Sequence, residues 1–146
     1  MRKTLALVLV AGMLAACAST PKGAYVSPLH GTVTSGFGAR GGRPHYGVDI
    51  AAERGTLVRA ANAGQVVFRG RKKGFGRLVI VDHGGGVTTY YAHLSRFKTR
   101  KGRRVKRGQP IGKVGSSGRA SGPHLHFEVR MDGRPVNPFG VVPIGR

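Results

Sequence analysis

Apolar and polar residues alternate along most of this chain in short runs, and glycines end each run before a helical period can build up. The clearest run is 124–130, His-Leu-His-Phe-Glu-Val-Arg, in which polar and apolar side chains trade places at almost every step. A period of two marks a half-buried strand, with successive side chains on opposite faces. The same reading predicts strands over 32–35, 47–51, 56–60, 64–69, 77–82, 86–92, 110–114 and 124–130, with a last one at 134–136. Turn signals separate them: Gly41-Gly42, Lys73-Gly74, Gly84-Gly85-Gly86, Ser117-Gly118 and Asp132-Gly133. Asp132-Gly133, flanked by two such runs, predicts a two-residue hairpin. No segment keeps a helical period for more than about ten residues. The expected fold is all-β: antiparallel sheets forming a sandwich or a partly open barrel, with long loops.

A chain of 146 residues fits one compact domain. Its 25 glycines and eight prolines agree with a turn-rich β protein. The first residues follow a different pattern. Arg2 and Lys3 precede an apolar stretch from Thr4 to Leu14, which has the length of a secretory signal and is too short to span a bilayer. It ends in Leu14-Ala15-Ala16-Cys17, and Cys17 is the single cysteine. This run resembles a bacterial lipobox, which makes residues 1–16 a lipoprotein signal peptide and Cys17 the lipidated first residue of the mature chain. Ordinary signal cleavage is the competing reading, because Ala16-Cys17-Ala18 is also a small-x-small site. Residues 17–28 then form the lipidated cysteine and a short linker, and 29–142 the folded domain. Ten linker residues reach at most about 35 Å, so the domain would sit close to its membrane. By resemblance to Gram-negative sorting patterns, Ala18 favours the outer membrane, facing the periplasm. In any cell the expected place is the envelope.

Lys and Arg total 25 against five Asp and Glu, a formal charge of +20. Such a charge favours anionic partners: nucleic acid, acidic lipid or an acidic wall polymer. Export removes nucleic acid from that group. Two clusters concentrate the charge, Arg69-Gly70-Arg71-Lys72-Lys73 and the run 96–107, and both are expected on loops. Each reads equally as a solubilising surface or as an electrostatic docking face.

The candidate chemistry lies in three runs that hold four of the six histidines. In His124-Leu125-His126 a strand would point both imidazoles, and Glu128 after them, to one face, with Leu125 and Phe127 on the core side. His45 and Asp49 can converge if Gly47 breaks the strand at its start. Imidazole and carboxylate both suit Zn²⁺, and three protein ligands leave one position open for water. His93, at the end of a predicted strand, fits a general acid/base or an oxyanion donor. Each cluster also has a bland reading, as a polar strand face or a hydrogen-bonded turn.

Taken together, the runs resemble a known family. Ser35-Gly36-Phe37-Gly38, His45-Tyr46-Gly47-Val48-Asp49-Ile50, Asp82-His83-Gly84, Tyr91-Ala92-His93-Leu94, Val105-Lys106-Arg107-Gly108-Gln109, Ile111-Gly112, Gly122-Pro123-His124-Leu125-His126-Phe127-Glu128 and Val136-Asn137-Pro138 are similar, in order and spacing, to the lysostaphin-type, or LytM-domain, zinc endopeptidases of peptidoglycan. The resemblance implies one Zn²⁺ per chain held by His45, Asp49 and His126, with His93 and His124 as the catalytic histidines beside a zinc groove. It also implies peptidoglycan as substrate and hydrolysis of amide bonds in cross-links or stems. Some members have lost zinc ligands and only activate cell-wall amidases, so an amidase or division-machinery partner is the rival expectation; all five residues are present here. Glu128 is either an acceptor that orients a ligand or a surface carboxylate. Asp82 and His83 read as structural. Arg40 stands just before the site and could meet a substrate carboxylate. The segment between Gly38 and His45 is shorter than in many relatives, which predicts an open groove.

Overall fold

The computed structural model describes residues 25–145. The signal peptide, Cys17 and the linker through residue 24 lie outside the described residues. Among the described residues, thirteen strands follow one another. They are β1 (Thr32–Ser35), β2 (Gly38–Arg40), β3 (Arg43–His45), β4 (Val48–Ala51), β5 (Leu57–Arg59), β6 (Gly64–Lys72) and β7 (Gly76–Asp82). Then come β8 (Val87–Leu94), β9 (Arg96–Phe97), β10 (Arg104–Val105), β11 (Pro110–Lys113), β12 (His124–Met131) and β13 (Arg134–Val136), before a 3₁₀ turn at Pro138–Gly140.

The large sheet runs β1-β4-β12-β8-β7-β6-β10, with β13 paired to β12. A three-stranded sheet, β5-β11-β9, and the β2-β3 hairpin complete the architecture. Every pairing is antiparallel, so the expected all-β class holds. The sheets do not close into a barrel. The main core lies where the three-stranded sheet covers one face of the large sheet. Val48, Ile50, Tyr91, Leu125, Phe127 and Val129 from the large sheet meet Val58 and Ile111 there, all fully buried. Their polar neighbours in sequence are thereby sent to the opposite face, where the site lies.

Register turns that alternation into a site. His126 pairs with Asp49 on β4 and with Ala92 on β8. Residues opposed across antiparallel strands have neighbouring side chains, so the sheet sets the two polar groups side by side. Gly47 lets β4 approach β12: a methyl group there would collide with the carbonyl oxygen of Phe127 and crowd the His126 ring.

Several boundaries differ from the sequence reading. Tyr25 is buried and stacks edge-on against His83, and the Val26 amide donates to the Ala61 carbonyl at 2.8 Å. The end of the expected linker therefore packs on the domain. At the other end, Ile144 is buried beyond the expected limit at 142. Gly70, Arg71 and Lys72, expected in a loop after the predicted strand 64–69, lie on β6, because the β6-β7 hairpin continues as paired arms to Lys72↔Gly76. Both faces of that arm are polar, so it has no alternation to read. The two-residue strands β9 and β10 and the β2-β3 hairpin are too short to show one. The Asp132-Gly133 hairpin forms as expected, with φ of 50° and 77° at those residues.

Candidate metal centre

Three donor atoms converge on the open face of the sheet. His45 Nε2 lies 3.2 Å from Asp49 Oδ1, His126 Nδ1 lies 2.8 Å from the same oxygen, and the two nitrogens are 3.2 Å apart. Tetrahedral zinc, with bonds of about 2.0–2.1 Å, separates its ligand atoms by about 3.3 Å. The triangle is thus close to the size zinc requires, and its donors, two imidazoles and a carboxylate, are of the type zinc takes. These three residues are the ones the sequence singled out as ligands, and they form a metal-sized cluster.

Each imidazole is oriented by the nitrogen it does not offer. His45 Nδ1–H donates to the Gly36 carbonyl at 2.6 Å, leaving Nε2 for the site. His126 is turned the other way: Nε2–H donates to Glu128 Oε1 at 2.9 Å, leaving Nδ1. Glu128 is buried, which removes the surface-carboxylate reading. Its second oxygen accepts from Arg130 at 2.6 and 2.8 Å. Arg130 is two residues from Glu128 on β12 and so shares its face; the sequence reading missed it although the alternation places it there. Partners of this kind fix the ring and raise its basicity. Replacing Glu128 with Gln is expected to weaken zinc binding by about 10–100-fold, measured by competition with a chromophoric chelator.

Arg40 does line the groove, but its guanidinium is engaged: Nη2 donates to Asp49 Oδ2 at 2.7 Å. One carboxylate oxygen therefore faces the histidines and the other faces Arg40. Burial would raise the Asp49 pKa; hydrogen bonds and charge from His126, Arg40 and His45 outweigh it and hold the carboxyl far below its usual range. Burial would likewise lower the His126 pKa, but Asp49 and Glu128 raise it to about 9. Without metal, His126 is thus protonated at neutral pH and must lose a proton to become a ligand. Zinc binding at pH 7 is expected to release about one proton, and apparent affinity should rise with pH up to about 9. Calorimetry in buffers of different ionisation enthalpy measures the proton count.

The two remaining histidines stand beside the donors. The His93 and His124 rings are 4.7 Å apart, and His124 Nε2 lies 3.8 Å from Asp49 Oδ1. His93 Nδ1–H donates to the Ser117 carbonyl at 2.7 Å, and His124 Nδ1–H to the Gly122 carbonyl at 2.9 Å. Both rings therefore keep a lone pair at Nε2. His93 lies within β8, not after it, and has φ of 61°, a conformation uncommon for residues other than glycine. Arg77 pairs with Leu94 and Val79 with Tyr91, so Leu78 alone opposes Ala92 and His93. Such a bulge re-aims a side chain, here toward the groove. Burial, with His124 and His126 adding to it, lowers the His93 pKa to about 4 against the pull of the Ser117 bond.

Around these residues is a groove of about 460 Å³, lined also by Arg43, Tyr46, Phe75 and Arg119. Arg43 and Tyr46 flank His45 beyond the β2-β3 turn, so the short segment between Gly38 and His45 forms a hairpin at the groove. Asp82 and His83 are away from it, as expected. His83 Nδ1–H donates to the Ala63 carbonyl at 2.8 Å, and Nε2 is 2.7 Å from Thr89 Oγ1.

Residues 43–138 match peptidase family M23. The chain belongs to that family. Within M23, it is 52% identical over 99 residues to the DD-carboxypeptidase/endopeptidase Mpg of Neisseria meningitidis, covering 68% of this chain and 23% of that protein. It is 38% identical over 126 residues to the murein hydrolase activator NlpD of Salmonella typhimurium, covering 86% of this chain and 33% of that one. The chain thus spans about a quarter to a third of the length of these two M23 relatives. The crystal structure of a zinc containing peptidase from Vibrio cholerae superposes with a TM-score of 0.73 at 36% identity, over 78% of this chain and 39% of that one.

Proposed function

We propose that this M23 chain is a zinc-dependent peptidoglycan endopeptidase, hydrolysing amide bonds in the peptide cross-links or stems of the cell wall. The observation that carries the reading is the intact donor triangle of His45, Asp49 and His126 with two further histidines beside it. When bound, zinc supplies Lewis acidity toward the scissile carbonyl and lowers the pKa of water. The chain's own residues supply the rest. Burial keeps His93 neutral through the neutral range, and its Nδ1–H is taken by the Ser117 carbonyl, so Nε2 is the atom that would meet the proton of the attacking water. His124 presents its own Nε2 to the same space, so the pair can deprotonate the attacking water, steady the oxyanion and return the proton to the leaving amine. Tyr46, half exposed at the rim, offers an apolar surface for a peptide chain.

The similarity to NlpD favours a second reading, in which the groove binds and activates a cell-wall amidase of the division machinery. Digestion of purified sacculi by the zinc-loaded chain, with mass spectrometry of released muropeptides, separates the two. Chelator-sensitive cleavage supports the enzyme; no cleavage by folded, zinc-loaded protein supports the activator. In either role the expected lipid on Cys17 would hold the domain at the envelope, on the periplasmic face of the outer membrane in a two-membrane cell. Acylation that survives Cys17→Ser would overturn this anchor.

A further inference from the structure

The two basic clusters, separate in sequence, are joined in space. The Arg69 guanidinium stacks 4.2 Å above the Phe97 ring. The Gly102 amide donates to the Val66 carbonyl at 2.7 Å, and the Val66 amide to the Arg103 carbonyl at 2.9 Å. β6 thereby pins the loop between β9 and β10. Under this loop is a second cavity, of about 420 Å³, lined by Phe97, Lys98, Thr99, Arg100, Arg103 and Gln109. It shares no lining residue with the metal groove.

Its chemistry is one-sided. Three cationic side chains line it, and none of the chain's five carboxylates does. Among the described residues, Lys98, Arg100 and Arg103 form no salt bridge, whereas Arg40 and Arg130 near the metal centre are both paired. Lys98, Arg100 and Arg103 are exposed, and like charges around one cavity repel. A bound anion relieves that repulsion. Three cationic groups on different residues suit the three or four oxygens of a phosphate better than the two of a carboxylate, and arginine's fork is matched to phosphate.

We propose that this cavity is a phosphate-binding site, independent of the metal groove, for the phosphate of an anionic phospholipid headgroup or for free phosphate. The test is titration of the isotopically labelled full-length protein with inorganic phosphate at about 0.15 M salt, where long-range attraction is screened. Saturable amide shifts are expected at residues 97–103. Arg100→Gln alone should weaken binding about tenfold, the loss of one charged hydrogen-bond donor, and Arg100→Gln with Arg103→Gln should abolish it. Arg54→Gln with Arg134→Gln, which removes the same charge elsewhere, should leave it unchanged; equal weakening by this control would reduce the effect to net charge and overturn the site. Shifts scattered over the surface would do the same. Sedimentation with phosphatidylglycerol vesicles, against phosphatidylcholine vesicles, identifies the source. Binding to the former that the Arg100/Arg103 variant loses supports a headgroup site; phosphate shifts without vesicle binding support a site for the free ion. Unchanged zinc content in each variant verifies the fold.

Discussion

Replacing His124 with alanine is expected to lower kcat on sacculi by about 10²–10⁴-fold, the range of a lost general acid/base, with zinc content unchanged. His124 is outside the donor triangle, and its Nδ1 is held only by the Gly122 carbonyl two residues away. Its removal therefore opens the groove without disturbing a ligand. His93→Ala should cost a similar factor in kcat, but it also strands the Ser117 carbonyl that His93 satisfies inside the fold. A stability loss of about 1 kcal/mol should accompany it. The double variant should be little worse than either single one, because groups that act as a unit are not additive. Cleavage that survives His124→Ala at full rate would exclude the proposed role and favour the activator reading.

The other large effect centres on Asp49. Asp49→Ala should reduce zinc affinity by more than about 100-fold, beyond what the loss of an outer partner costs, and leave no detectable cleavage. The carboxylate joins the cluster: Oδ1 faces His45 and His126, and Oδ2 accepts from Arg40. Without it, Arg40 loses its partner and His126 loses one of the two acceptors that raise its pKa. The metal-free variant should also be less stable than the metal-free parent at neutral pH. Because the Asp49 pKa is depressed in the folded state, its contribution is present above its ordinary value of 3.8 and fades as pH falls below that. Denaturant unfolding of both proteins should show a constant gap between pH 7 and pH 5 that narrows, without closing, by pH 3; a gap that does not narrow at all would assign the effect to packing.

The tertiary structure corrects the sequence reading mainly where function is refined. Arg40, a candidate for a substrate carboxylate, lines the groove with its guanidinium against Asp49. Glu128, which could have been an exposed strand residue, is buried between His126 and Arg130. The extension of β6 over Gly70, Arg71 and Lys72 went unrecognised because its basic run carries no apolar alternation, and only pairing with β7 holds it in the sheet.

What the sequence by itself determined is the part that depends on local period and residue type. Alternation in 124–130 sends Leu125, Phe127 and Val129 inward and His124, His126 and Glu128 outward, and Asp132-Gly133 turns the chain back; each follows from the backbone within a few residues. The donor types, two imidazoles and a carboxylate, are legible in the same way. Only the tertiary structure decided which nitrogen each imidazole offers, because the carbonyls of Gly36, Ser117 and Gly122 hold the rings by their other nitrogen. It also decided that His93 reaches the groove, since the bulge that turns it arises from pairing with a separate strand. Register and long-range hydrogen bonds join segments far apart in the chain, and no local pattern encodes them.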